Sequence, residues 1–441
     1  MNTFKLATVI VLTFVFISCK KASMDDIGNN TPPVEEDVNP IVPPEGVLLP
    51  NQLIAKMRRG INLGNTFESW KKTDDESFTG SGYLDIDGYN LWREPFGTNY
   101  FTEVANAGFT NVRIPVNFNN YTKPHWNNIP DEATIDSFKI QGAFLNYLET
   151  YIDAALAAGL VVVLDTHHED WIVKMTDADE TVYYTNDSKE LEKRKLRFKA
   201  IWTIISERFK NKSDDLVFEI INEPYFHLTV GDMDEINEFT LDIIRKTNPT
   251  RKVIVVGGNS NPSGAASNAH IATQNLDSDF LKSDPYLIAT FHYYKPFKFT
   301  SSGRLQYTDN DWGTAADKEE LAANFKELST WAKQNNIPIY LGEFGADNVN
   351  GTIYGSLDKS GNYKNSDTDG KDDTEGGPDA TSREAYYRYI AEKCEEYGYS
   401  YAVWCTGRKG GKSIYLEESK DLGKRTDDGF IPEILNALML K

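Results

Sequence analysis

Short apolar runs rich in β-branched residues recur along the chain, separated by stretches in which apolar positions return every three or four residues. The runs fall at 61–63, 111–116, 160–164, 216–221, 252–256, 286–291, 337–341 and 399–405. The clearest helical patterns lie at 144–158, 190–209, 233–247, 318–334 and 383–397. In most of the strand-like runs the apolar residues are consecutive rather than alternating, which predicts strands covered on both faces. Strands of that kind joined by helices are parallel. Eight such units predict an α/β fold of the closed (β/α)8 type, with an open doubly wound sheet as the alternative. A barrel of this kind needs roughly 250 residues. A chain of 441 must therefore carry long loops, and two are expected, at 71–92 and 346–381.

Before the first strand the pattern is different. Lys5 precedes an apolar run at 6–17 that is short for a membrane span but has the length of a signal-peptide core, and it ends at Ser18-Cys19. A small residue directly before a Cys in this position resembles a bacterial lipoprotein signal; an ordinary secretory signal is the alternative. The expected organisation is a signal peptide at 1–18, a lipidated Cys19 with a flexible tether at 19–48, and one catalytic domain at 49–441. Thr31-Pro32-Pro33, Glu35-Glu36-Asp37 and Pro43-Pro44 give the tether a composition that cannot bury a core. Membrane attachment is expected only through the lipid on Cys19. The expected address is the bacterial cell envelope, at the outer membrane or its surface. Cys394 and Cys405 do not make a disulfide framework and read as buried small hydrophobes.

Charge narrows the partners. With 46 Lys plus Arg against 66 Asp plus Glu the chain carries a net charge of −20, which excludes nucleic acid unless a basic patch is concentrated somewhere. The one basic stretch, 189–199, is interleaved with Glu190 and Glu192 and reads as a solvated helix face. Aromatic residues make up 12% of the chain, enough to supply both a core and surfaces that stack on flat ligands such as sugars. The acidic segment Asn365-Ser366-Asp367-Thr368-Asp369-Gly370 opens like a calcium loop, but its twelfth position is Gly376 and Glu375 falls one short. An acidic insertion without metal is expected there. No cofactor and no metal are expected, and a monomer is.

Reactive residues cluster where a barrel concentrates its chemistry, at the C-terminal ends of the strands. Strand two ends near Arg113, strand three in Asp165-Thr166-His167-His168-Glu169, and strand four in Asn222-Glu223-Pro224. Strand six ends in His292-Tyr293-Tyr294, strand seven in Gly342-Glu343-Phe344-Gly345, and strand eight at Trp404. One such residue is ordinarily a satisfied core group, but six strands ending this way are hard to explain by packing, because buried charges are costly unless paired. Glu223 and Glu343, across the barrel mouth from each other, have the arrangement of two carboxyls flanking a glycosidic bond.

These motifs, with Gly60-Ile61-Asn62-Leu63-Gly64-Asn65 and Asn111-Val112-Arg113-Ile114-Pro115-Val116, resemble glycoside hydrolase family 5. They occur in family order and span residues 50–440. The resemblance implies a retaining mechanism with Glu223 as acid and base and Glu343 as nucleophile. It also implies that Asn222 bonds the sugar 2-hydroxyl, that His167 and His292 line the cleft, and that Trp404 forms a stacking platform, with His168 competing with His167 for its role. Arg113 and Tyr294 are expected to keep Glu343 ionised, and a neighbouring carboxylate to raise the pKa of Glu223. Ala402-Val403-Trp404-Cys405-Thr406-Gly407 departs from commoner members in lacking an acidic or Asn residue just after the Trp. Trp70, Trp92, Trp126, Trp171 and Trp312 offer further sugar contacts or local packing.

The substrate expected is a polysaccharide, foremost a β-1,4-glucan (cellulose-like, mixed-linkage or xyloglucan), with β-mannan as the alternative of the same family. Two other readings compete with it. A metal-dependent hydrolase using Asp165, His167, His168, Glu169 and His292 would leave both glutamates without a role. A non-catalytic glycan-binding lipoprotein would be expected to have lost one of them.

Overall fold

The computed structural model describes residues 43–68, 96–168, 170–172, 174–176, 182–184, 187–226, 228–259, 269–302, 310–348, 377–407, 412–416 and 429–441. The signal, Cys19 and most of the tether lie outside the described residues, as do nearly all of both long loops, Trp70, Trp92, Glu169 and the acidic segment 365–376.

Eight parallel strands close into a barrel. They are β1 (Arg59–Asn62), β2 (Asn111–Val116), β3 (Val161–Thr166), β4 (Leu216–Glu219), β5 (Val253–Val255), β6 (Leu287–Tyr293), β7 (Ile339–Phe344) and β8 (Ser400–Val403). Each pairs with its sequence neighbours and β8 returns to β1. Every strand run expected from the sequence is present, and closure removes the open-sheet alternative.

Among the described residues the helices of six residues or more are α1 (Pro50–Met57), α2 (Tyr100–Ala107), α3 (Gly142–Ala157), α4 (Ser188–Phe209), α5 (Val230–Thr247), α6 (Ala269–Gln274), α7 (Ser278–Ser283), α8 (Ala315–Gln334), α9 (Ala380–Tyr397) and α10 (Pro432–Met439). The longer ones begin where the chain offers a cap: the side chains of Asp187, Thr229, Thr314 and Asp379 accept backbone N–H groups of the first turns of α4, α5, α8 and α9.

Two layers of core follow from the parity of the strands. Val161, Val163, Val217, Ile254, Ile288, Tyr340 and Ala402 form one buried cluster with Leu53, Ile54 and Met57 of α1. Helix α1 thus stoppers the N-terminal end of the barrel, leaving its C-terminal end for chemistry. The alternate residues join the larger cluster between strands and helices.

The basic stretch 189–199 is less solvated than its composition implies. Arg194 and Arg197 of α4 are buried. Arg197 donates to the carbonyls of Asn119, Thr122 and Pro124, and lies 4.5 Å from the centre of the Trp171 ring. Cys394 and Cys405 are buried free thiols.

Candidate active site

Arg113 organises the mouth of the barrel. It is the third residue of β2 rather than its end, and its side chain is fully enclosed. An arginine inside a strand must have every donor met, and this one does. Nε donates to Glu219 Oε2 at 2.7 Å and Nη2 to Glu219 Oε1 at 3.1 Å. Nη2 also reaches Asn222 Oδ1 at 2.8 Å and Asp165 Oδ2 at 2.9 Å. Nη1 reaches Glu343 Oε1 at 2.8 Å and Asn62 Oδ1 at 3.1 Å. Burial disfavours its charge, but the carboxylates of Asp165, Glu219 and Glu343 outweigh that and hold it protonated.

Glu343, near the end of β7, is almost wholly enclosed. Its Oε1 takes the arginine and its Oε2 accepts the Tyr294 hydroxyl at 2.9 Å. Burial raises its pKa above the ordinary carboxyl value, with the charge of Glu223 adding to the rise, while His292, Arg113 and the tyrosine pull it back. Arg113 and Tyr294 are thus placed to favour its charge as expected, but desolvation is the larger effect.

Glu223, just past β4, has a different environment. Its side chain is 26% exposed against 6% for Glu343. One oxygen, Oε1, accepts the Tyr225 hydroxyl at 3.0 Å and lies 2.8 Å from His292 Nδ1. Burial lowers the His292 pKa to about 4, so this imidazole is neutral near pH 7.

The position of His292 depends on backbone geometry. The pairing of β6 with β7 shifts between Phe291 and His292, so that Phe291 faces Leu341 whereas His292 faces Glu343. Gly342 is the residue skipped, and a Cβ there would stand 2.7 Å from His292 Nε2. A glycine before the glutamate is what leaves room for the imidazole beside β7.

On the opposite rim, His167 Nδ1 lies 2.7 Å from Asp165 Oδ2 and its ring stacks on Trp404 with centroids 6.1 Å apart and planes 22° apart. His168, with a positive φ of 58°, packs edge-on against His167 at 4.6 Å. Burial pushes His167 well below the ordinary histidine range and Asp165 well above the ordinary carboxyl range. Trp404 is partly exposed, and Gly64 permits its approach to β1, since a Cβ there would meet its ring at 3.1 Å.

All nine residues singled out from the sequence therefore surround one mouth: Arg113, His167, His168, Asn222, Glu223, His292, Tyr294, Glu343 and Trp404. Trp126, Trp171 and Trp312 do not join them. Each is buried in packing, Trp312 against Tyr386 and Tyr389.

Four residues went unassigned in the sequence. Asn62 sits in a quoted motif, and its amide donates to the Gly342 and Ala402 carbonyls at 2.9 and 3.1 Å. Glu219 and Tyr225 flank the Asn-Glu-Pro triplet. Glu68 accepts the Asn65 and Thr66 backbone N–H groups, and burial pushes its pKa up to about 7. A carboxylate within the apolar run 216–221 was the available signal for Glu219, because it requires a buried cation.

A carboxylate oxygen of Glu223, one of Glu343 and a ring nitrogen of His292 lie within 4.8 Å of one another. Among the described residues this trio is the one convergent set of metal-type ligands. Both oxygens of Glu343 and Oε1 of Glu223 already accept hydrogen bonds from protein donors, a lining suited to shaping acid–base chemistry rather than to wrapping a cation. Asp165 and His167, proposed ligands in the metal-dependent alternative, face each other and Arg113 instead.

The family description Cellulase (glycosyl hydrolase family 5) matches residues 74–410. The chain belongs to glycosyl hydrolase family 5. The chain is 33% identical to Endoglucanase H of Acetivibrio thermocellus over 389 residues, covering 88% of this chain and 33% of that one. It spans 61% of the length of Endoglucanase B of Clostridium cellulovorans, at 29% identity over 68% of this chain. Among solved structures, the Clostridial cellulose synthase subunit Z of Clostridioides difficile is 28% identical with a TM-score of 0.63, covering 87% of this chain and all of that one.

Proposed function

We propose that this family 5 protein is a retaining endo-β-1,4-glucanase. The observation that carries the reading is the separation and inequality of the two carboxyls. Inverting glycosidases hold theirs about 6.5–9.5 Å apart to admit a water, whereas retaining ones stand about 5–5.5 Å apart. Here oxygens of Glu223 and Glu343 approach within 4.8 Å. The enclosed Glu343, held on both oxygens, is the nucleophile; the more exposed Glu223 carries the proton to the leaving oxygen and later takes one from water.

The remaining residues act on orientation. With its Oδ1 tied to Arg113, the Asn222 amide nitrogen is left to donate to the sugar 2-hydroxyl of the reacting ring. Trp404 supplies the flat face beneath that ring, and His167 and His168 line its edge. Neutral His292 and Tyr225 hold Oε1 of Glu223 in place beside the bond to be cut. The endoglucanase names of the relatives support a β-1,4-glucan chain as substrate and cleavage within it.

The test is incubation of the protein, Glu223→Ala and Glu343→Ala with β-glucan, xyloglucan, mannan and xylan, with oligosaccharide analysis and NMR of the newly released anomer. Mixed β-glucan oligomers first released with β configuration, absent in both variants and insensitive to a chelator, are expected. First-formed α product would sink the retaining mechanism. Binding without cleavage of any polysaccharide would move the protein to the glycan-binding reading, and loss of activity with a chelator to the metal-dependent one.

The lipoprotein-like Ser18-Cys19 supports a further proposal, that the enzyme is carried on the outer membrane of a bacterial envelope by a lipid on Cys19. Expression of Cys19→Ala should release it from the membrane fraction; unchanged partitioning would refute the anchor.

A further inference from the structure

The segment Cys405-Thr406-Gly407, just after Trp404, carries no acidic or Asn residue, and the glycosidase reading gives it no part. Its place is set by a cross-connection to Ser413. The Thr406 N–H donates to Ser413 Oγ at 3.0 Å, and the two hydroxyls lie 2.8 Å apart. The Ser413 carbonyl accepts Nη2 of the buried Arg383 at 2.9 Å. Lys412, next to this knot, runs alongside the end of β7. Its Cβ is 3.6 Å from where a Cβ on Gly345 would stand, two residues past Glu343.

The lysine ammonium ends among residues that follow β6 and β7. Nζ donates to Ser301 Oγ at 3.0 Å and to Asp347 Oδ1 at 3.1 Å. The Lys412 and Asp347 side chains are only 14% and 9% exposed, so this pair is enclosed rather than a solvated surface bridge. Nζ also stands 5.5 Å from the centre of the Tyr294 ring, within the range at which a cation is drawn to an aromatic face, and the attraction grows as water is excluded. The backbone of that tyrosine is held separately: Thr300 Oγ1 donates to the Tyr294 carbonyl at 2.6 Å, and the Asp347 N–H to the Thr300 carbonyl at 2.9 Å. The ring is thus bounded by the ammonium over its face and by Glu343 Oε2, which accepts its hydroxyl at 2.9 Å.

We infer that Lys412 is a positioning residue for the nucleophile, acting through Tyr294: it seats the phenol ring so that the hydroxyl stays on Glu343 Oε2. Asp347 and Ser301 are the latch that holds the ammonium over the ring. Because Asp347 balances the lysine charge, the pair acts on the position of the ring rather than on the net charge of the site. The inference rests on the glycosidase reading above, in which Glu343 must meet the sugar at a fixed angle and a small drift of its partner is costly. It joins the segments after β6, β7 and β8 in one device behind the nucleophile.

The experiment measures wild type, Lys412→Met, Tyr294→Phe and the variant carrying both changes on cellotetraose and on an aryl β-cellobioside. Methionine keeps an unbranched stem and deletes the ammonium. Lys412→Met should lower kcat by about tenfold, the scale of a desolvated cation–ring contact, with KM within about twofold. In the Tyr294→Phe background, where no hydroxyl is left to seat, the same change should cost less than about twofold. A second variant, Lys412→Met with Asp347→Asn, leaves no carboxylate buried alone, and should keep the urea midpoint of wild type while retaining the loss in kcat. Equal losses in both tyrosine backgrounds would overturn the inference, as would a loss confined to KM, which would make Lys412 a sugar contact. Recovery of the wild-type rate on adding Asp347→Asn would overturn it as well, by tracing the loss to the stranded carboxylate. A wild type inactive on both substrates would instead remove the glucanase reading, and this role with it.

Discussion

Glu219 touches no atom of the substrate in the proposed mechanism, yet replacing it by Gln should damage both folding and turnover. The native carboxylate holds Arg113 through Nε at 2.7 Å and Nη2 at 3.1 Å, with both side chains fully enclosed. Glutamine offers one acceptor oxygen, so its amide N–H groups would face the guanidinium where an acceptor had been. Breaking a buried ion pair on one side costs about 3–5 kcal/mol. Part of that is recovered, because the Glu219 charge also opposes ionisation of Asp165 beside the same arginine. A net loss near 2 kcal/mol is expected, read as the shift in urea midpoint. Catalysis should suffer through position. The same guanidinium bonds Glu343 and Asn222 at 2.8 Å each, and a displacement of about 1 Å at such groups costs on the order of 10²-fold. The loss should fall on kcat more than on KM, since Asn222 and Glu343 act on the transition state. A variant with kcat/KM within threefold of wild type and an unchanged urea midpoint would refute the claim that Glu219 holds this site together.

Gly342→Ala places a methyl 2.7 Å from His292 Nε2 and 3.1 Å from Thr290 Oγ1. It should cost about tenfold or more in kcat by driving the imidazole off Glu223, and an unaltered rate would show that His292 has room to give. Burial raises the Glu68 carboxyl from 4.5 to about 7. The folded state thus binds a proton that the unfolded chain releases, so this group's contribution is full below about pH 4.5 and fades as pH rises through 7. Its upper size is about 3 kcal/mol. Glu68→Gln should remove that component from the difference in urea midpoint between pH 5 and pH 8; identical pH dependence in variant and wild type would count against it.

Most of the strands were legible as short apolar runs, as at 160–164, 252–256 and 286–291, because burial on both faces favours that pattern, while 61–63 and 111–116 carry the buried polar residues Asn62, Asn111 and Arg113. Helices α3, α4, α5, α8 and α9 showed for the same reason, with apolar residues at helical spacing. Helices α1 and α2 are eight residues each, too short to establish a period, and α1 takes its meaning from the barrel end it fills rather than from its own sequence. Reactive residues at strand ends were legible by type and place. Their partners were not, since whether Arg113 meets Glu343 alone or Glu219 and Asp165 as well depends on strand tilt and on which face of each strand looks inward. The surplus of carboxylates around one arginine, and the burial that raises Glu343 rather than lowering it, emerge only when the strands are brought together. The tryptophans show the converse: Trp404 and the three buried ones are the same residue type on comparable loops, and only packing separates a partly open ring from a closed one.

That surplus of carboxylates bears on how the proposed cycle runs in an enclosed site. In the resting state Glu343 is anionic beside Arg113 and Glu223 carries a proton. When Glu343 bonds to the sugar it becomes a neutral ester, and Glu223, having given its proton away, becomes the anion. The net charge of the site is the same before and after; the negative charge has moved a few ångströms, from the arginine to the opposite side of the bond. What waits there is a donor pair, the Tyr225 hydroxyl and His292 Nδ1, both aimed at Oε1 of Glu223. Because burial keeps His292 neutral near pH 7, the pair meets the anion by hydrogen bonding rather than by full charge. The two glutamates thus need unequal partners, a cation for the one that begins charged and neutral donors for the one that ends so.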